Sequence, residues 1–520
     1  MLISILLSLA LAEAESFDRT QVPAPLERSE FTLPELQRGS LSNGVEILMV
    51  EDHDHPLVRV KLLFEAGGFA DPPSQEGLAG SAYDMLNEGA GGMSALEIST
   101  ALRRLATHLG TSGGLDGGRV TLDTLTRNLA ASLDLMAAVA LEPEFPEADW
   151  DRLRKQLIQD VASARTEPTK MASRALSRTL FGDNYAGRFK TEESLNAISV
   201  EDMKAWAATA LVPGNARFLV GGDTTLEEIT ALLEARFGTW SGEGAVAVPT
   251  PSVRQPEETT LFLVNKPGAA QSVIRMGRFA GHRTDPTYTD LSLGNKAFGG
   301  MFMARLNMNL REDKGYTYGA RSWVSSNHAG SRWLLSTSVR TDVTGASLQE
   351  IVGEISGIGG ELGEAPPCGW FKTRCGSCPE PERMAATRPI TVEEVGFSKS
   401  NAIQGYPSRF EKPDYLLDQH ATVARYGLPD DWLESYIPRV EAVTAELAQN
   451  AFTTAVANEP WAIVVVGDLM VVRPQLVDLG FPMVELDADG NPVQDGATAE
   501  EGPANLDVTP VQDGAAGQED

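Results

Sequence analysis

Apolar and polar positions along the chain form two similar blocks. In the first block the strand-like run VEILMVEDHDHPLVRVKLLFEAGG leads to Asp71, and in the second TLFLVNKPGAAQSVIRMGRFAGHRT leads to Asp285. Buried-strand patterns also end each block, ARFLVGGD at Asp223 and WAIVVVGD at Asp468. The matching starts and ends predict two related halves, and the longer second block predicts an insertion there.

Helical patterns lie between these strands, for example SALEISTALRRLATHLG and EADWDRLRKQLIQDVASAR. Ser94 and Ser199 are at positions expected of helix N-caps, and TTLEEITALLEARFGTW predicts a helix that ends at Gly238. This order predicts an α+β fold built twice, each half a mostly antiparallel sheet covered by helices. The predicted segments are an N-terminal domain over 39–240, a linker over 241–258 and a C-terminal domain over 259–484.

Two segments do not fit this two-part plan. Residues 361–389 interrupt a helical region and carry all the cysteines, Cys368, Cys375 and Cys378. Three thiols without a fourth ligand do not complete a zinc site, so we expect one disulfide and a spare thiol in an insertion outside the core. Residues 485–520 are acidic and poor in bulky apolar side chains, which predicts a disordered tail.

Composition narrows the class of protein. The chain has 520 residues, of which 42% are hydrophobic and 22% charged, as in an ordinary soluble globular protein. Its formal net charge of −29 argues against nucleic acid and anionic membrane surfaces as partners. After the first residues, no apolar run is long enough to predict a membrane span.

The amino terminus has the pattern of an export signal. Residues 1–14, MLISILLSLALAEA, combine an apolar run with an Ala-x-Ala cleavage pattern, although no Lys or Arg precedes Arg19. A signal peptide over 1–14 predicts a periplasmic or secreted protein. A misplaced start or a frayed terminus is the alternative.

Residues 66–92, AGGFADPPSQEGLAGSAYDMLNEGAGG, predict a strand end, a turn and a helix. This segment resembles the zinc-site segment of the insulinase/pitrilysin-like metallopeptidases, which carry G-L-A-H-x-x-E-H there. Gly80 takes the place of the first His, Tyr83 of the catalytic Glu and Asp84 of the second His. Asp160 falls where the family has a third ligand, a Glu. The resemblance implies a peptidase frame whose zinc site is lost, so that this chain holds no cofactor itself.

The remaining polar residues leave alternatives open. Asp84 and Asp160 are either solvated residues of an unused cleft or, with Glu88, ligands of a metal other than zinc, since carboxylates alone suit Mg²⁺ or Ca²⁺. His53 and His55 are two residues apart on a predicted strand and would share a face there. They are either solvated edge-strand residues or a metal-binding pair.

Residues 298–321, FGGMFMARLNMNLREDKGYTYGAR, resemble a second motif of this family, whose Arg and later Tyr contact the substrate near the scissile carbonyl. By this resemblance Arg311 and Tyr318 have those roles. Because Gly299 and Gly300 carry no side chain, we expect them to let a substrate strand approach the backbone closely. A guanidinium and a phenol placed together can donate to a carbonyl that gains negative charge. Alternatively, Arg311 pairs with a neighbouring acid, Tyr318 begins a strand and the glycines form a helix–loop turn.

Active sites in this family often need two chains, one with the zinc helix and one with the Arg/Tyr pair. Over residues 38–480 the resemblance implies the non-zinc subunit of an exported heterodimeric peptidase. A homologous H-x-x-E-H subunit would supply zinc and the general base, and a peptide would be the substrate. A stand-alone protein that binds extended peptides at a sheet edge is a second hypothesis. A hydrolase using Asp84, Asp160 and Glu88 around another metal is a third.

Overall fold

Apolar runs in the first half form a six-stranded sheet. The computed structural model describes residues 31–242, 244, 246–247, 253–359, 388–411 and 413–493. The strands of the first sheet are β1 Gln37–Ser40, β2 Glu46–Glu51, β3 Leu57–Phe64, β6 His108–Gly113, β7 Gly118–Leu125 and β8 Ala216–Gly222. Their order is β1-β2-β8-β3-β7-β6, and only the β2–β8 pair is parallel. A separate two-stranded ribbon joins β4 Gly89–Ala90 and β5 Met93–Ser94.

The second half forms a sheet of the same size. Its strands are β9 Thr260–Asn265, β10 Gln271–Phe279, β11 Thr317–Asn327, β12 Gly330–Arg340, β13 Ala462–Gly467 and β14 Met483–Leu486. Their order is β11-β12-β10-β13-β9-β14, and β9 is parallel to both of its neighbours. The predicted α+β fold with two sheet-containing halves is therefore confirmed, although the second sheet is more mixed than expected.

Helices cover both sheets, and short 3₁₀ turns connect several of them. The described α-helices are α1 Leu78–Met85, α2 Ala95–Arg104, α3 Leu129–Leu141, α4 Glu147–Ala164, α5 Pro168–Phe181, α6 Glu192–Asn196, α7 Val200–Ala210, α8 Leu226–Phe237, α9 Tyr288–Asn295, α10 Arg305–Asn307, α11 Thr344–Ile358, α12 Val392–Gln404, α13 Pro413–Tyr426, α14 Tyr436–Ala442, α15 Ala445–Phe452 and α16 Leu469–Leu476. Turns of π-helix occupy Lys296–Gly300, Met308–Asp313 and Thr453–Ala457.

Local signals in the sequence place several helix ends correctly. Ser94 precedes α2, and its N–H donates to the Glu97 carboxylate at 2.9 Å. Ser199 precedes α7, and its hydroxyl accepts from the Asp202 N–H at 3.1 Å. Such reciprocal bonds satisfy donors that a helix start otherwise leaves unpaired. The predicted helix before Gly238 is α8, which ends one residue earlier.

Each half contributes a helix to the other half's sheet within one compact unit that begins at residue 34. Helix α5 lies on β10 and β13, where a Cβ on Gly277 would be 3.1 Å from Leu176. Helix α13 lies on β8 and β2, where the buried Lys61 ammonium binds Asp414 at 2.6 Å and Asp418 at 2.8 Å. This exchange joins the two halves through apolar packing and through ion pairs.

The prediction that two histidines share a strand face is wrong. His53 and His55 do not share a strand face, because β2 ends at Glu51 and both residues lie in the exposed loop before β3. The His53 Nδ1 atom lies 2.7 Å from Asp223 Oδ1, and this hydrogen bond raises the pKa of His53. His53 therefore pairs with a carboxylate in this loop.

The predicted disordered tail begins too early. Residues 485–493 complete β14 and a following turn, whose Asp489 binds Arg165 at 2.8 Å and Arg174 at 2.7 Å. The ordered second half thus extends beyond residue 484. The rest of the tail, the signal peptide over 1–14 and the three cysteines lie outside the described residues.

The predicted insertion over 361–389 also ends too late. The Arg388 guanidinium binds the buried Glu354 carboxylate at 3.1 Å, and its backbone N–H donates to Gly357 O at 2.6 Å. The guanidinium of Arg305 donates to the carbonyls of Arg388 and Pro389 at 2.5 and 2.6 Å. Residues 388 and 389 therefore belong to the core of the second half.

This boundary leads to a stability prediction. Replacing 361–387 by a short Gly/Ser linker is expected to leave the melting temperature within a few degrees. Extending the replacement through Pro389 leaves the buried Glu354 carboxylate without Arg388, which costs about 3–5 kcal/mol and roughly 10 °C. Differential scanning calorimetry of the two variants measures the difference, and equal melting temperatures would show that these contacts contribute little.

No described helix has both the length and the apolar character needed to cross a bilayer.

Candidate functional site

Helix α1 begins at a fixed turn. Gly77 has a φ of 103°, a left-handed conformation that favours glycine. The Asp71 carboxylate accepts from the backbone N–H groups of Gly77 at 2.8 Å and Ala79 at 2.9 Å. These bonds occupy donors at the helix start, and burial raises the pKa of Asp71 to about 6. The frame that would hold metal ligands on α1 is therefore well defined.

The two histidine-equivalent positions face away from the core. A Cβ added at Gly80 would meet no atom within 4 Å. Asp84, one helical turn later, is half-buried, and burial raises its pKa while nearby Lys190 opposes this effect. The surface of α1 thus has space for a larger side chain at position 80 and carries one carboxyl group at position 84.

Tyr83 points in the opposite direction. It is fully buried, and its hydroxyl donates to the Ala66 carbonyl at 2.8 Å. Its ring lies 5.1 Å from the Trp206 ring and directly over the cross-strand pair Gly113 and Gly118. A Cβ on Gly113 would be 2.5 Å from this ring, and one on Gly118 would be closer still. The residue at the position of the catalytic Glu is therefore part of the core.

A signal for this orientation exists in the sequence. Leu78, Ala79, Ala82, Tyr83 and Leu86 follow the i, i+1, i+4, i+5, i+8 spacing of one buried helix face. All of them are buried in the structure. The spacing of apolar residues therefore predicts that Tyr83 packs in the core. Aligning Tyr83 with the catalytic Glu of the zinc motif does not predict this.

The alternative metal site is not formed. Asp160 is exposed on α4, and Glu88 binds Arg152 of the same helix at 2.7 Å. Across the described ranges, no group of three His, Cys, Asp or Glu side chains is close enough to hold a metal ion. Asp84, Asp160 and Glu88 therefore do not make the metal centre that the third hypothesis requires.

Arg311 and Tyr318 are brought together. Arg311 lies in the π-helical turn Met308–Asp313, and Tyr318 lies at the start of β11 after a turn at Gly315, whose φ is 64°. The Arg311 guanidinium carbon is 4.8 Å from the ring centres of both Phe302 and Tyr318. Its Nε is also 3.2 Å from Glu312 Oε1. The guanidinium is thus held between two rings and beside one carboxylate.

This stack faces solvent. Tyr318 is 87% exposed, Phe302 is 56% exposed and the adjacent Met303 is 48% exposed. Cation–π contacts at an exposed site contribute about 0.5–1 kcal/mol each. These contacts hold the Arg311 guanidinium in one orientation, while most of the Tyr318 side chain is in contact with solvent.

Buried polar residues support the turn that carries Arg311. The Asn309 side-chain amide donates to Glu350 at 2.8 Å and to Glu354 at 2.6 Å. Lys314, at the end of the turn, binds Glu350 at 2.8 Å. Burial raises the pKa of Glu354, which Arg388 opposes. Sequence reasoning missed these residues, although a polar Asn309 between apolar neighbours in LNMNL is a usable signal.

The two glycines of the second motif have different surroundings. Gly299 is buried, and a Cβ there would be 2.5 Å from the Ser322 hydroxyl of β11. The close approach that Gly299 permits is thus to this strand. Gly300 is exposed at the end of the π-helical turn. Contact of either glycine with a substrate remains a prediction.

Comparison with known proteins finds matches to models of one peptidase family. The model of the insulinase family, peptidase family M16, matches residues 46–190, and that of the peptidase M16 inactive domain matches 197–362. The chain is 21% identical over 293 residues to YmxG of Bacillus subtilis, named an uncharacterized zinc protease, covering 56% of this chain and 70% of that protein. It is 22% identical over 205 residues to YmxG of Helicobacter pylori, which is named a non-peptidase homolog. This match covers 39% of the present chain and 46% of that protein.

Solved structures share the fold. A peptidase M16 inactive domain from Pseudomonas fluorescens superposes with a TM-score of 0.72 at 22% identity, covering 83% of this chain and 98% of that one. A protease from Helicobacter pylori superposes with a TM-score of 0.71 at 17% identity. The superposition covers 84% of the present chain and 100% of that one. Two matched family models and the two-sheet fold lead to one conclusion. The chain belongs to the insulinase family of peptidases, as a member without the H-x-x-E-H zinc motif.

Proposed function

We propose that this chain is the zinc-free subunit of an exported two-chain metallopeptidase. A homologous subunit with H-x-x-E-H supplies zinc and the general base, and this chain supplies Arg311 and Tyr318. The observation that carries the proposal is the exposed stack of these two side chains on a chain whose α1 helix lacks zinc ligands. The substrate is a peptide, and the sequence of residues 1–14 supports a periplasmic or secreted location.

The direction of each side chain supports this division of roles. Tyr83 cannot serve as a base on a zinc-bound water, because a phenol replaces the carboxylate and its hydroxyl is bonded to the Ala66 carbonyl. Tyr318 is almost fully exposed, so its hydroxyl is available to a molecule outside the chain. Arg311 carries a fixed positive charge beside it. Together they can donate to a scissile carbonyl that a partner's zinc polarises.

A stand-alone peptide-binding protein is the second candidate, and the sheet edges bear on it. The edge strand β11 is partly capped, because its Ala320 N–H, Ser322 O and Ser326 O bind the side chains of Asn307, Asn295 and Tyr426 at 3.0–3.1 Å. The edge strand β6 lies beside α1, below the open space at Gly80. An extended peptide that added a strand to β6 would run beside α1.

Reconstitution tests the proposal. The isolated chain is expected to contain no stoichiometric zinc and to hydrolyse no fluorogenic peptide. Mixed with a homologous H-x-x-E-H subunit encoded beside it, the chain is expected to form a complex with about one zinc per pair and chelator-sensitive activity. Stoichiometric zinc and proteolysis in the isolated chain would contradict the proposal. Absence of a complex, together with peptide binding by the chain alone, would favour the second candidate.

A further inference from the structure

The second sheet has one face that is only partly covered. Helix α5 lies on β10 and β13 there, and its Leu176 approaches Gly277 of β10. Leu334 of β12 pairs with Gly277 and with Trp323 of β11, so these three positions share this face. No described helix makes extensive contact with β11 or β12 on the side of α5. This part of the sheet is therefore open to a partner.

Two arginines lie in one row across the open part of the sheet. Arg275 of β10 and Arg321 of β11 both pair with Ser336 of β12, which places them on the face of α5 with Cα atoms roughly 10 Å apart. Arg321 is exposed, and Arg275 is half-buried with only its Nε shielded from solvent. Within the described ranges, neither side chain has a hydrogen-bond or ion-pair partner. Burial alone lowers the pKa of Arg275, since no described carboxylate opposes the effect.

The corresponding face of the first sheet has similar cations, but these are neutralised. Lys61 of β3 binds Asp414 and Asp418 of α13 at 2.6 and 2.8 Å. Arg59 of the same strand binds Asp123 and Asp414. Helix α5, which takes the place of α13 on the second sheet, has the sequence PTKMASRALSRTLF and contains no acid. On a chain with a net charge of −29, the row of Arg275 and Arg321 is thus a local area of unopposed positive charge.

Apolar surface and the Arg/Tyr motif adjoin this row. Leu334 and Trp323 pair directly in the next row, and both are partly exposed. Tyr318 begins the edge strand β11 three residues before Arg321, a separation of about 10 Å along an extended strand. A peptide held at Tyr318 can therefore reach the arginine row with residues a few positions from the bond that is cleaved.

We infer that the row of Arg275 and Arg321 binds an acidic segment of an extended peptide. Carboxylates of the peptide bind the two guanidinium groups, and a neighbouring apolar side chain packs on Trp323 and Leu334. Charge complementarity selects this occupant, because a guanidinium prefers a bidentate anionic partner and the acidic chain as a whole repels long polyanions. The inference rests on the proposed function, which supplies the peptide, and it adds a preference for acidic residues near the cleaved bond.

Fluorescence anisotropy of the isolated full chain tests the ligand class. A labelled peptide that contains Asp and Glu is compared with a peptide of equal length in which Asn and Gln replace them. The acidic peptide is expected to bind at least about tenfold more tightly at low salt, and the preference should shrink as ionic strength rises. Equal affinities, no binding of the acidic peptide at millimolar concentration, or equally tight binding of an oligothymidylate of the same charge would overturn the inference.

This titration separates the inference from the proposed function, because it uses one chain and needs no catalysis. A preference for the acidic peptide would support the arginine row even if no active two-chain peptidase forms. Absence of that preference would refute the row even if an active pair forms.

Two variants locate the binding. Arg321→Gln and Arg275→Gln are each expected to weaken binding of the acidic peptide about three- to tenfold. Their melting temperatures should stay within a few degrees of the wild type, because neither guanidinium has a partner to lose. Arg104→Gln is the matched control, since Arg104 is exposed on α2 and also has no partner among the described residues. Wild-type affinity in both row variants, or an equal loss in the control, would overturn the inference.

Discussion

A Tyr83→Glu variant is expected to lose much of the stability of the folded chain, although it restores the residue type of an active peptidase. The substitution buries a carboxylate among Phe64, Trp206 and the glycine pair, and it removes the ring that fills this space. Burial of an unpaired acid and loss of a large side chain together cost about 4 kcal/mol or more. Since folded proteins are stable by only about 5–15 kcal/mol, the melting temperature should fall sharply.

Two variants on the same helix provide the comparison. Gly80→His is expected to leave the melting temperature nearly unchanged, because a Cβ there meets open space and replacing Gly improves helix propensity. Tyr83→Phe keeps the ring but leaves the Ala66 carbonyl without its donor, a loss of about 1 kcal/mol. Thermal melts followed by circular dichroism give the series. If Tyr83→Glu melts like the wild type, Tyr83 does not support the core.

Arg311→Ala is expected to lower kcat/KM of the reconstituted two-chain peptidase by about 10²–10³, the range for loss of one transition-state donor. Arg311→Lys should rescue poorly, because an ammonium cannot reproduce the planar fork or its stacking between Phe302 and Tyr318. Tyr318→Phe retains the ring beside Arg311 and removes only the hydroxyl. It should act mainly on kcat if that hydroxyl binds the developing oxyanion.

The measurement requires a fluorogenic peptide and a size-exclusion check that the two chains remain associated. Arg473→Ala is the matched control, because Arg473 is a surface arginine of the same half that pairs with Glu485. This variant should retain wild-type kinetics. If Arg311→Ala and Tyr318→Phe also cleave at the wild-type rate, the motif is structural, and the chain binds peptides or supports its partner without taking part in catalysis.

Sequence patterns within a few residues predicted helix ends and turns better than they predicted contacts between distant elements. The caps at Ser94 and Ser199 and the helix end near Gly238 depend on residues within one turn, so the sequence was sufficient. The meeting of Arg311 and Tyr318 was also predictable, because one turn at Gly315 joins their elements. The family resemblance supplied the rest of the candidate site.

Contacts between distant elements were not predictable in the same way. An amphipathic pattern shows that α5 and α13 bury one face, but not that each lies on the sheet of the other half. Arg388 illustrates the same limit, since its partner Glu354 lies on α11, on the other side of the cysteine-bearing segment. Composition therefore assigned residues 388 and 389 to a surface insertion, whereas their bonds place them inside.

The exchange of α5 and α13 also concerns how such a chain can change over time. Residues 168–181 precede the linker, yet Val273 and Val464 of the second sheet belong to the same apolar cluster. Substitutions in this stretch must fit a surface encoded about a hundred residues or more downstream. The two halves have similar sequence patterns. Because they pack against each other, however, neither half can be exchanged or change its contact residues independently of the other. The linker that begins near residue 241 separates the two halves in sequence, but the apolar cluster formed by α5 and the second sheet contains residues from both sides of it.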